Sequence, residues 1–166
     1  MSDDLDKILG DIDDTIKKQK EEFETSEKRK KEKQESFNNS FGDLMEKTIS
    51  PTMTHLLSKF RDRGHTAHIV EDNTGAFSSY IHEHYSIILK ESAGSFLITI
   101  AGNYDLQKVF ITFKYRFKQG SPVQNNESSF DLTEVTEESL KKVITETVNK
   151  ILIEMGLCSN SFSSVE

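Results

Sequence analysis

The chain has 166 residues, 34% apolar and 30% charged, with a mean hydropathy of −0.56, an apolar share below that of a chain packed throughout. That length and composition fit one domain with an extension outside its core. The net charge of −7 and pI near 5.3 argue against nucleic acid as the default partner, because phosphates need clustered lysine and arginine.

The opening residues MSDDLDK are acidic and carry no apolar run, so they do not read as a secretory signal. No stretch approaches the roughly 20 apolar residues of a membrane helix, and no membrane partner is expected. Cys158 is the single cysteine; it cannot pair within the chain and points to a reducing compartment or to indifference to redox. A cytoplasmic protein is the expectation. The acidity lies at the two ends: residues 1–35 hold 12 acidic and 9 basic side chains, residues 36–126 hold 8 and 9, and residues 127–166 hold 8 and 3.

Residues 1–40 read as a charged helical arm. The stretch lacks proline and, apart from Gly10, lacks glycine, and is rich in Lys, Glu, Gln and Asp, which suit a solvated helix. Leu5, Leu9, Ile12, Ile16, Gln19 and Phe23 follow one another at alternating gaps of four and three, the seam spacing of a coiled coil. The same register then meets Ser26, Lys30 and Lys33 before Phe37 and Leu44 return to it. The seam is apolar at both ends and wet in the middle. One continuous helix over 3–49 would be roughly 70 Å long at 1.5 Å per residue; Asn38, Asn39, Ser40 and Gly42 offer a break.

Residues 41–157 read as a compact α+β domain. Phe41, Leu44, Met45 and Ile49 make one apolar face. Ser50-Pro51 reads as a helix cap followed by proline at the first helical position. Met53, Leu56, Leu57 and Phe60 make a second helical face, and Gly64 its stop. Strands are expected over 65–72, 80–90, 95–101 and 108–118, with a weak fifth at 129–132. The turns between them are short and polar, which favours an antiparallel meander. Thr136 reads as an N-cap with Val135 and Leu140 as a hydrophobic staple. Leu140, Val143, Ile144, Thr147, Val148, Ile151, Leu152 and Met155 then form one broad stripe ended by Gly156, most simply the cover of the sheet. Residues 158–166 read as a flexible tail.

Four of the five histidines lie in GHTAHIVEDNTGAFSSYIHEHYSI, residues 64–87. Alternation puts His82, His84 and Ser86 on one face of their strand, opposite Ile81, Tyr85, Ile87 and Leu89. A hairpin centred on Ala76 would set His68 opposite His84, gathering three imidazoles. Zinc accepts three histidines and an open position in catalytic sites, so a metal-dependent enzyme at His68, His82 and His84 is one reading. Against it, a one-residue slip reverses the face of a strand, and no acidic residue clearly stands on that face to orient the rings. A polar or partner-facing sheet surface is the simpler account.

On the strand at 108–118, Val109, Ile111, Phe113, Tyr115 and Phe117 form the core face, and Lys108, Phe110, Thr112, Lys114, Arg116 and Lys118 the other. A basic ladder with an aromatic could stack bases and hold phosphates, but the glycines of the RNA-recognition motif are missing, and edge strands carry lysine to resist aggregation. No Walker loop, GxGxxG, GxSxG or HExxH pattern is present.

The expectation is therefore a non-catalytic adaptor or chaperone-like protein. It would oligomerise, as a homodimer, or bind a protein partner through Leu5, Leu9, Ile12, Ile16 and Phe23 of the arm, with Lys114 and Arg116 as sheet-face contacts. Nucleic-acid binding through the 108–118 face, and metal chemistry at the histidines with zinc as cofactor, are the alternatives.

Overall fold

In a computed structural model the chain is described over residues 2–70, 82–118 and 120–157. It divides into two compact units, Met1–Phe37 and Asn38–Glu166. The elements run in the order helix α1 (Ser2–Leu44), a π-helical turn (Met45–Ile49), helix α2 (Ser50–Asp62), strands β1 (Thr66–Val70), β2 (His82–Ile88), β3 (Ser95–Asn103), β4 (Lys108–Arg116) and β5 (Gln124–Asp131), and helix α3 (Glu137–Glu154). The class is α+β, as composition and periodicity predict.

α1 is assigned as one α-helix over Ser2–Leu44. No proline interrupts it, and acid-leading pairs four residues apart (Asp13 and Lys17, Asp14 and Lys18, Glu24 and Lys28) suit an exposed helix. The break expected at Asn38–Gly42 does not occur. There Phe41 is buried, at 0% exposure, and its burial outweighs the weak helix propensity of Asn, Ser and Gly. The helix changes character four residues later, at the π-helical turn.

The second unit is a sheet with helices on one face. The five strands pair antiparallel in the order β1-β2-β3-β4-β5, the meander expected from short connections. Alternation sets one face of the sheet: Tyr85 and Ile87, Phe96, Ile98 and Ile100, and Val109, Ile111, Phe113 and Tyr115 are all buried. Met53 and Leu57 of α2 and Leu140, Ile144, Val148 and Ile151 of α3 supply the opposing layer. The approach is closest at Gly102, where a Cβ atom would come within 2.5 Å of the Phe41 ring. Only glycine lets the aromatic lie on the backbone there.

The ends of the elements follow the local chemistry in most places. Gly64, at φ +88°, turns the chain out of α2 and into β1. Asn103 folds the β3–β4 turn by accepting the amides of Asp105 and Leu106 at 3.0 and 3.1 Å. Thr136 caps α3: its Oγ1 accepts from the Ser139 amide at 3.1 Å, and Ser139 Oγ accepts from the Thr136 amide at 2.8 Å. Ser50 differs from its expected role. It makes no cap, because the residue before it is already helical and Pro51 continues a turn rather than opening one. β5 is also longer than the expected 129–132, starting at Gln124 and pairing with β4 from Tyr115 to Lys108. Its sequence QNNESSFD has little intrinsic β preference, and the strand exists through its ladder to β4. The basic strand β4 is thus interior, so its lysines do not serve to guard an edge.

The expected loop at Asn73, Thr74 and Gly75, the hairpin centre at Ala76, the strand start at Tyr80 and Ile81, and Cys158 lie outside the described residues.

Candidate functional site

Two surfaces hold the residues singled out in the sequence. The first is the arm. Leu5, Leu9, Ile12, Ile16 and Phe23 are 57%, 49%, 48%, 58% and 66% exposed, so large apolar side chains line one side of a helix and face solvent. Ile8 belongs with them at 55% exposure. The alternating four-three pattern passes over it because it flanks the seam, but it stands four residues before Ile12 and three after Leu5, on the same side. The spacing to Leu5 and Ile12 is the signal that finds it. Scattered exposed leucines are ordinary; six at one helical spacing are not. Thr15 and Thr25 hydroxyls donate back to the carbonyls of Asp11 and Glu21, both at 2.8 Å, and are satisfied within the helix.

The second surface is the sheet face opposite the one that α2 and α3 cover. His68, His82, His84, Lys114 and Arg116 all stand on it, as alternation requires. The pairing of β1 with β2 differs from the expectation by two residues: His68 lies opposite Ser86, and His84 opposite Val70. A shift of two residues keeps His68 on the same face and carries it diagonally away from His84. The His82 and His84 rings meet edge-on with centroids 4.9 Å apart, and His84 Nδ1 is 2.8 Å from Thr99 Oγ1. The three imidazoles do not converge, and among the described residues no group of three His, Cys, Asp or Glu side chains could hold a metal ion.

Across the same face Lys114 and Arg116 are exposed and Phe110 is half-buried. The basic ladder of β4 is interleaved with acid from β5: Lys108 lies opposite Asp131 and Thr112 opposite Glu127, whose carboxylate accepts from the Thr112 hydroxyl at 3.3 Å. Phosphate binding needs uninterrupted positive potential, and this alternation dilutes it. Arg116 and Lys118 also line a shallow groove with Ile88, Ser92, Ser95 and Phe117 at one end of the sheet.

A third cluster lies under the sheet. Glu83 sits on the buried side of β2, and its Oε2 accepts from Tyr85 Oη at 2.7 Å and from Ser50 Oγ at 2.8 Å. Burial pushes the Tyr85 hydroxyl well above its ordinary value, and the neighbouring Glu83 carboxylate reinforces the shift while Ser50 opposes it. Tyr115 is raised in the same way, by burial and by its hydrogen bond to Glu154 at 3.1 Å. A carboxylate at an inward-facing strand position requires donors, which is the sequence signal for this cluster. Its partners leave it structural: it ties the start of α2 to β2.

No helix among the described residues is long and apolar enough to cross a membrane. Family models, curated proteins and solved structures all yield no match to this chain.

Proposed function

We propose that the protein is a non-catalytic interaction protein of adaptor or chaperone-like kind, which assembles with itself through the arm and presents its open sheet face to a protein partner. The observation that carries this reading is the stripe of Leu5, Leu9, Ile12, Ile16 and Phe23, each roughly half or more exposed on one side of α1. Burying one such side chain fully stabilises by about 1.5–3 kcal/mol. A facing helix that covers five of them from each copy supplies enough to offset the cost of association and side-chain ordering. The charged flanks of the same helix keep the free arm in solution. On the domain, Lys114 and Arg116 project from the uncovered sheet face and suit an acidic partner.

The test is the mass of the full-length protein by sedimentation and native mass spectrometry. Wild type is expected as a dimer or larger. Ile12→Asp with Ile16→Asp is expected to reduce it to a monomer with the circular dichroism of the domain intact. A monomeric wild type, or a double variant of unchanged mass, rejects assembly through the arm.

A further inference from the structure

We propose that two copies of the arm pair antiparallel, with Leu5 facing the partner's Phe23, Leu9 the partner's Gln19 and Ile12 the partner's Ile16. This inference rests on the self-assembly reading above and specifies its geometry. The seam of α1 consists of two interleaved sets: Leu5, Ile12, Gln19, Ser26 and Lys33, and Leu9, Ile16, Phe23 and Lys30. In a parallel pair each residue faces its own copy. In an antiparallel pair one set faces the other. Two-fold symmetry then repeats the three contacts and closes six layers. Either orientation covers the apolar side chains, so burial does not choose between them. Charge does.

Residues 3–14 hold six aspartates (Asp3, Asp4, Asp6, Asp11, Asp13, Asp14) against Lys7 alone, a net of −5. A parallel pair lays that block on its own copy along about three turns of helix, and like charges held close repel. The antiparallel pair lays it beside residues 14–25, where Lys17, Lys18 and Lys20 balance Glu21, Glu22 and Glu24 and Asp14 alone is left over. The block of −5 then meets one of −1.

The wet half of the seam points the same way. Lys30 and Lys33 occupy seam positions in the run KRKKEK, residues 28–33. A parallel coil either stacks these lysines on their copies or splays apart at Ser26. In the antiparallel register they fall beyond the six layers and face no seam residue of the partner.

The flanks agree. Positions beside the seam set orientation through charge pairs. Antiparallel pairing sets Asp13 beside the partner's Lys20 and, at the outer ends, Asp6 beside the partner's Glu27, each twice by symmetry, so attraction and repulsion offset each other. Parallel pairing sets Glu22 beside the partner's Glu27, also twice, with no opposite-charge pair to offset it.

Disulfide trapping in a Cys158→Ser background tests this. Leu9→Cys and Gln19→Cys chains, distinguished by mass, are mixed and oxidised after sedimentation has established their assembly state. Both positions are exposed, so neither substitution disturbs the buried core. A disulfide needs Cα atoms about 4.4–6.8 Å apart. In the antiparallel register position 9 faces position 19, whereas two copies of position 19 are separated by ten residues, about 15 Å along the helix. The expected result is a mixed disulfide between the two chains and none between two Gln19→Cys chains. A dimer that links Gln19→Cys to itself is parallel and overturns this inference while leaving self-assembly standing. A dimer with neither disulfide overturns the register. A monomer removes the self-assembly reading and this inference with it.

Discussion

The arm and the domain use the same kinds of apolar side chain and treat them in opposite ways. In the domain Ile98, Ile100, Ile111 and Phe113 are at most 2% exposed, while in the arm Ile12, Ile16 and Phe23 are 48–66% exposed. The domain closes its own core because alternation along three adjacent strands gives one broad apolar face and two helices cover it. The arm has one narrow stripe and nothing in its own unit to lay against it. A single helix cannot bury its own side. An apolar seam that persists on a solvated helix is therefore a statement about something other than the stability of the chain that carries it.

Substitutions should divide along the same line, and the largest effect belongs to the core. Phe113→Ala is expected to lower domain stability by about 3–5 kcal/mol, read as the midpoint of chemical denaturation; a loss under 1 kcal/mol would mean that this face is not packed as described. Next is an alkaline effect at Tyr85. Its folded-state pKa is raised above the ordinary 10.0, so the unfolded chain ionises first. Stability is complete below pH 10 and declines above it, by at most about 1.4 kcal/mol per pH unit from this group. Tyr85→Phe should flatten that decline, leaving the smaller share from Tyr115. An unchanged slope would place the titration elsewhere. Thr136→Ala removes the side-chain half of the α3 capping box and is expected to cost about 1 kcal/mol, visible as a modest shift in thermal midpoint. At the bottom of the scale, Ile12→Asp with Ile16→Asp should leave the unfolding of the domain unchanged while altering its mass. If that pair unfolds the domain, the contrast between the two regions fails.

What could be read directly in the residues was what periodicity carries. α3 announces itself through Thr136, its staple and an unbroken stripe. β3 and β4 do so through SFLITIA and KVFITFKYRF, whose alternation places every buried residue on the correct face. Three features were hidden because partners rather than local pattern decide them. QNNESSFD becomes β5 through its ladder to β4. The β1–β2 register differs from the expected one by two residues, a shift that leaves the faces unchanged and to which alternation is blind. Ser50 looks like a cap from its neighbour Pro51, but the chain before it is already helical, and its hydroxyl serves Glu83 instead. Of the candidate sites, the arm stripe was visible except for Ile8. The common face of the histidines was also visible, although their spacing on it was not.

The tyrosine hydrogen bonds have an optical consequence. The chain has no tryptophan and four tyrosines, so its intrinsic emission comes from phenols alone. Tyr85 and Tyr115 each donate to a carboxylate, Glu83 and Glu154, and a phenol bonded in this way is quenched. The Tyr85 bond runs within β2, whereas the Tyr115 bond joins α3 to β4. The Tyr115 share of the emission should therefore brighten when α3 lifts from the strands, giving the unlabelled protein its own signal for separation of that helix from the sheet.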